Sequence, residues 1–299
     1  MEKKRKVLLC GVTGQQGGAL AKILLREGHE IIGLSRNPKA QKAKELIAKG
    51  MEIRQCNYLD AEDLTQAMRE VDTVFAVTTP FEKGSDNEVD QGKALANAAQ
   101  KAEVGHFIYT SVASADLSTN IPHFDSKYEV EKHIDSLDIP YTIVAPVFFM
   151  ENLLSPYMMD SLKEGKLKIA MPGDRKLQQI AVEDIAKFSA RIINRRESEF
   201  GKRYDIAGDE LTGENCAEIL SRVTGETITY EGIDPEYVKE ESVDLAIMFK
   251  WFDQIGYTTD IPALKRRYPE IAFQTFETWA KKQDWTVIKD ALHVDEHLV

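Results

Sequence analysis

Cysteine is scarce: 299 residues contain only Cys10, Cys56 and Cys216, odd in number, far apart and never as Cys-x-x-Cys. That excludes a disulfide framework and suits a reducing, cytoplasmic setting. Long apolar runs are missing as well, since stretches such as 139–150 fall far short of the roughly 20 residues that cross a bilayer. No membrane span is expected. Positive charge is in deficit, with 38 Lys+Arg against 49 Asp+Glu and a formal net charge of -11, which argues against general nucleic-acid binding. A secretory leader is imitated by the basic Lys3 to Lys6 and the apolar Val7 to Cys10, but that stretch breaks at once into Gly11-Val12-Thr13-Gly14-Gln15-Gln16-Gly17-Gly18. The tetrad reads as the lead-in to a first strand rather than a nuclear address. With 43% apolar and 29% charged residues, the chain can bury a full core.

Short β-branched runs alternate with helical patterns, the mark of βαβ units and a parallel sheet. Strands are expected at Val7–Cys10, Glu30–Ser35, Met51–Cys56, Thr73–Val77, His106–Thr110 and Tyr141–Val147. Helices are expected at Gly18–Glu27, from Pro38 to about Lys49, and at Glu62–Glu70, Asp86–Ala102 and Phe124–Leu137. Beyond Pro146 the period loosens. A helix is expected at Leu153–Glu164, a strand at Lys168–Met171, a turn at Pro172-Gly173-Asp174, a helix at Val182–Arg191 and a further sheet strand at Tyr204–Ala207. The last third is rich in aromatics. The expected organisation is a doubly wound, mainly parallel Rossmann-type α/β sheet over 1–153 and about 176–208. A smaller mixed α/β lobe for substrate or partner takes about 154–175 and 209–299.

Gly11-x-x-Gly14-x-x-Gly17 lies between the first strand and the first helix, the context that a dinucleotide fingerprint requires. The glycines permit a tight turn, close approach of backbone to pyrophosphate and close helix–strand packing. Amides at the helix start then face the phosphate charge. At the end of the second strand a carboxylate would select NAD, but the chain reads Leu34-Ser35-Arg36-Asn37-Pro38, with Lys39 and Lys42 behind it. Arg36 can pair with the 2'-phosphate of NADP(H).

Several segments together resemble the NmrA-like family, the atypical branch of the short-chain dehydrogenase/reductase superfamily. They are Gly11 to Gly17, Ser35 to Pro38, Tyr109-Thr110-Ser111-Val112-Ala113, His123-Phe124-Asp125-Ser126-Lys127, Pro146 to Leu154, Gln179 to Ala186 and Ile206 to Thr212. The resemblance implies NADP(H) on a Rossmann sheet with a small C-terminal lobe. It puts cofactor contacts on Thr13, Gln15, Gln16, Arg36, Asn57, Tyr58, Thr78, Thr79 and Pro80, with Lys127 reaching the nicotinamide ribose and Phe148 and Asn152 beside the nicotinamide. Relatives commonly carry an aspartate where this chain has Asn57, which can still hydrogen-bond adenine.

Conventional short-chain enzymes pair a tyrosine with a lysine four residues later, and Tyr128-x-x-x-Lys132 matches literally. Aligning Lys127 with the family block instead puts His123 in the tyrosine's place and turns Tyr128 about 100° away from Lys127. Lys127 and His123 are therefore the candidate catalytic residues, with Ser111 and Ser114 as polar neighbours. His293-x-x-x-His297 has metal spacing but no further ligands, so no metal is expected. Two functions fit. One is a cofactor-state sensor that signals to a protein partner through loops near 78–86 and 148–156, which the absent tyrosine favours. The other is a reductase passing hydride to a quinone-like or azo acceptor.

Overall fold

The computed structural model describes residues 3–35 and 37–294, with backbone alone for 293 and 294. Arg36 and His297 lie outside the described residues, as does the side chain of His293. The chain divides into two compact units, 1–146 with 185–205, and 147–184 with 206–299. This division assigns 147–153, 176–184 and 206–208 to the second unit, where the sequence pattern groups them with the first.

The first unit runs β1 (Lys6–Leu9), α1 (Gln15–Glu27), β2 (Glu30–Ser35), α2 (Gln41–Ala48), β3 (Glu52–Gln55), α3 (Ala61–Ala67), β4 (Thr73–Val77), α4 (Ser85–Lys101), β5 (Phe107–Thr110), α5 (Pro122–Asp135) and β6 (Tyr141–Pro146). The chain continues through β7 (Phe148–Phe149), α6 (Pro156–Lys163), β8 (Lys166–Ile169), β9 (Lys176–Ile180), α7 (Val182–Asn194), β10 (Lys202–Ile206) and β11 (Asp209–Thr212). It ends in α8 (Gly213–Thr224), β12 (Thr229–Gly232), α9 (Pro235–Glu241), α10 (Val243–Gln254), α11 (Ile261–Arg267), α12 (Phe276–Ala280) and α13 (Thr286–Val294). No helix among the described residues is long and apolar enough to cross a membrane.

Seven strands form one sheet in the order β10-β6-β5-β4-β1-β2-β3, with β1 through β6 paired in parallel. It is the Rossmann-type doubly wound arrangement. Its central strands are buried nearly throughout: Val7, Leu8, Leu9, Val74, Phe75, Ala76, Phe107 and Ile108 are all sealed from solvent, as helices on both faces of a parallel sheet demand. The strand order reverses between β1 and β4, and a crevice at the carboxyl ends of strands at such a switch point is where ligands bind in open α/β sheets.

Two differences from the sequence pattern have local causes. Pro38 does not open α2, because Asn37 closes a turn in which its Oδ1 accepts from the Lys39 N–H at 3.1 Å and its carbonyl accepts from Ala40. The helix then starts at Gln41. The second difference is the strand pair β9 and β11, whose Gln-Gln and Asp-Glu content hides a strand. Buried Gln178 makes up for its polarity by donating to Thr259 O and accepting from Thr259 N, both at 3.0 Å.

In the second unit β9 pairs antiparallel with β11 and parallel with β7, while β12 pairs parallel with β8. Its core gathers Phe276, Trp279, Trp285, Leu162, Leu167 and Leu220. Carboxylates, buried at Asp184 and partly buried at Glu151 and Asp209, tie its backbone together. Glu151 accepts from Val182 N at 2.9 Å and from the Trp279 indole at 3.0 Å. Asp184 accepts from Gln274 N at 2.6 Å, and Asp209 from Phe276 N at 2.8 Å.

Candidate cofactor and catalytic site

The turn after β1 is built around a positive φ of 63° at Gly11, which an L side chain rarely adopts. Gly14 N donates to Gly11 O at 2.8 Å, and α1 starts on the next residue. At Gly17 a Cβ would stand 2.5 Å from Gly11 O, so only glycine lets helix and strand close up here. Thr13, Gly14 and Gln15 are exposed at the rim. The first turn of α1 carries no acidic residue and no side chain caps it, which leaves its amide end to an anion. The cradle fits a dinucleotide pyrophosphate.

Tyr58 supports this turn from beneath, with its hydroxyl accepting from Gly11 N at 3.4 Å. The same hydroxyl bonds Cys10, whose thiol burial pushes up to about 12, so it is no nucleophile. Asn57, where the resemblance puts an adenine contact, sits exposed after β3, its Oδ1 accepting from Leu59 N at 3.2 Å. Gln16 reaches the end of β5, accepting from Thr110 Oγ1 at 2.8 Å.

The densest chemistry lies past β4. Thr78 is buried, Thr79 accepts from Phe81 N at 3.4 Å, and Pro80 O accepts from Gly84 N at 2.7 Å. This loop leads into α4, which crosses α5 so tightly that a Cβ on Gly92 would meet Val130 at 2.5 Å. One turn earlier on each helix, Glu88 faces Lys127. The Lys127 Nζ donates to Glu88 Oε1 at 2.8 Å and to Thr78 O at 3.3 Å. Glu88 is wholly buried, and it also accepts from Thr78 Oγ1 at 3.0 Å and Ser126 Oγ at 2.6 Å. The single Thr78 proton points at Glu88, so Tyr109, 3.0 Å away, donates its own to Thr78 Oγ1. Burial disfavours the Lys127 charge, but Tyr109 and Glu88 around it more than offset that, and its pKa lies above the ordinary lysine value. Lys127 is a permanent donor here rather than a proton shuttle.

His123, one turn before Lys127, is buried between ring contacts with Phe81 at 5.7 Å and Phe124 at 4.8 Å. Ser111 is committed elsewhere: it donates to Glu131, which Arg203 Nε holds at 2.8 Å. Tyr128 stands outside this network, with the Lys132 ammonium 5.2 Å from its ring centre and paired to Glu129. The helical phase that separated Lys127 from Tyr128 in the sequence is therefore seen in the contacts. Phe148 and Asn152 belong to the second unit, where Phe148 lies edge-on to Phe252 at 6.1 Å and Asn152 O accepts from Ser155 N at 3.1 Å. Glu88 was missed, because Ser85-Asp86-Asn87-Glu88 reads as the solvated start of a helix. Only the glycine one turn later, marking a close helix crossing, could have flagged it.

The NmrA-like family profile matches residues 3–282. Among known proteins, an NmrA-like family domain-containing protein of Dictyostelium discoideum is 29% identical over 269 residues, covering 84% of this chain and 88% of that one. Quinone oxidoreductase 2 of Escherichia coli K12 is 30% identical over 230 residues, covering 76% and 77%. The solved structure of an NADPH-dependent quinone oxidoreductase from Escherichia coli, complexed with NADPH, superposes with a TM-score of 0.77 at 27% identity, over 92% of this chain and 98% of that one.

Proposed function

Because the chain belongs to the NmrA-like family, we propose that it binds NADP(H) and reduces a quinone-like acceptor. The observation that carries this reading is Lys127, a partly buried ammonium aimed by a fully buried carboxylate at the carboxyl end of the sheet. Burying such a pair is costly and is seldom spent on stability alone. The Gly11–Gly17 cradle would hold the pyrophosphate, Arg36 the 2'-phosphate, Asn57 the adenine and Lys127 the nicotinamide ribose. When bound, the dihydronicotinamide supplies a hydride. Lys127 uses two of its three N–H groups on Glu88 and Thr78 among the described residues, so the third is left for a ribose hydroxyl. His123, on the same helix face, is placed to relay the proton that completes a quinol.

A second reading, a cofactor-state sensor working through a partner, is favoured by a specific feature: among the described residues Lys127 hydrogen-bonds no tyrosine hydroxyl, the neighbouring Tyr109 giving its proton to Thr78, and Ser111 is held by Glu131. One experiment separates the two. NADPH is mixed with protein and benzoquinone, naphthoquinone, an azo dye or no acceptor, while binding and oxidation are followed together. Acceptor-dependent oxidation that falls roughly tenfold or more in Lys127→Ala is expected. Tight NADPH binding with no oxidation by any acceptor would replace the reductase by the sensor.

A further inference from the structure

The network around Glu88 has one direction. Thr78, Ser126 and Lys127 all donate to it, and Tyr109 donates to Thr78, so three side-chain donors converge on one acceptor-only carboxylate while a second Lys127 N–H holds the Thr78 carbonyl. No exposed group shares the work, since Glu88 has no solvent-accessible surface. These contacts link three elements, the loop after β4, the first turns of α4 and the middle of α5. An ammonium on a flexible four-carbon stem has no fixed direction of its own, and here it is pinned at two points.

We infer that Glu88 is the positioning residue of the site: it locks Lys127 and the Thr78 loop into one hydrogen-bonded unit and so aims the remaining Lys127 N–H at the dinucleotide. The aim rests on the cofactor reading above, whereas the lock stands on geometry alone. Other groups face Lys127 too. Tyr109 approaches from β5, with its ring centre 5.7 Å from Nζ, and Glu131 lies on the same helix but is engaged by Arg203 and Ser111. His123 lies a turn earlier on α5. From α4, Lys93 faces Glu129 and His133, further along. Of these, Glu88 alone bonds the ammonium directly through a carboxylate.

Glu88→Gln removes the charge with little disturbance. Its carbonyl can keep Thr78 and Lys127, and its amide can donate to Ser126 Oγ, whose proton has the His123 carbonyl at 3.2 Å as an alternative acceptor. Without its counter-ion a buried ammonium ionises at lower pH. The test follows the Cε resonance of Lys127 against pH in protein carrying 13C-lysine, assigned by its loss in Lys127→Arg. The midpoint should fall by roughly one pH unit or more in Glu88→Gln and return towards the wild-type value in Glu88→Asp. An unchanged midpoint in Glu88→Gln would overturn the assignment, and this readout needs no cofactor. NADPH titration by fluorescence quenching then tests the aim. Relative to wild type, Glu88→Gln should lose roughly twofold more affinity at pH 9.5 than at pH 7. A lowered midpoint with no such extra loss would refute the aim, and wild-type protein that fails to bind NADPH would sink the cofactor reading while the resonance still decides the lock.

Discussion

In the first unit Glu88 receives its hydrogen bonds from the side chains of Thr78, Ser126 and Lys127. In the second, Glu151, Asp184 and Asp209 each accept from a backbone amide, of Val182, Gln274 and Phe276 in turn, and the side chains that add to them are the Trp279 indole and the Gln274 amide, neither of them ionisable. A carboxylate on backbone amides holds the chain in place and has little left to offer a ligand. One that gathers mobile side chains, a lysine among them, sets the direction of a reactive group. The same contrast sorts the sequence blocks that carry the family resemblance. In the proposed reductase His123 to Lys127 supplies the chemistry, while the blocks around Glu151, Asp184 and Asp209 supply the fold.

The largest expected effect tests the structural half of that contrast. Glu151→Ala leaves the buried Val182 N–H and the Trp279 indole without their partner and should lower stability by about 3 kcal/mol, read from denaturant unfolding. A loss below about 1 kcal/mol would mean that Glu151 is not a fold anchor and that the division of labour between the units is wrong. On the binding side, Arg36→Ala should weaken NADPH by about 1.5 to 3 kcal/mol and leave NADH nearly unchanged. Equal losses for both cofactors would show that the arginine has another task.

His106 provides the contrast within the first unit, at the opposite ends of the strands from Lys127. Thr142 Oγ1 donates to Glu199 O at 2.7 Å, so it accepts from His106 Nε2 at 2.8 Å and keeps a proton on Nε2. Burial, with Arg196 and Arg5 nearby, pushes its pKa down from 6.5 to about 3. The unfolded chain therefore takes up a proton below pH 6.5 that the folded chain refuses until near pH 3, so stability falls as pH drops through that window. At pH 5 the cost from this group is about 2 kcal/mol. Chemical denaturation at pH 7.5 and 5 should show that loss in wild type, and most of it should vanish in His106→Gln. An equal acid loss in both proteins would assign the sensitivity to other groups.

The sequence exposed what depends on spacing. The Gly11–Gly17 cradle, the six parallel strands and the register of Lys127 against Tyr128 all follow from glycine positions and helical phase. It concealed what depends on burial. Glu88 looks solvated in a polar helix start, the brace that Tyr58 gives the turn after β1 has no mark in the sequence, and the glutamines of β9 look like loop. Each is polar, and a polar residue shows its role only when its partners, which come from distant segments, are known.

The smallest expected effect is the sharpest test of register. Tyr128→Phe and Lys132→Ala match the conventional tyrosine–lysine spacing, yet Lys132 is half exposed, stacks on Tyr128 and pairs with Glu129. Consecutive helical positions are about 100° apart, so α5 cannot aim Lys127 and Tyr128 at one ribose. Removing an exposed cation–π contact and a surface ion pair should cost at most about 0.5 to 1 kcal/mol of stability, with NADPH affinity and quinone turnover unchanged. Measured at matched folding, a Tyr128→Phe protein that binds NADPH normally but no longer turns over would make Tyr128 the proton donor. The buried network of Glu88, Thr78 and Lys127 would then serve only as a support, and the contrast between the two units would lose its catalytic half.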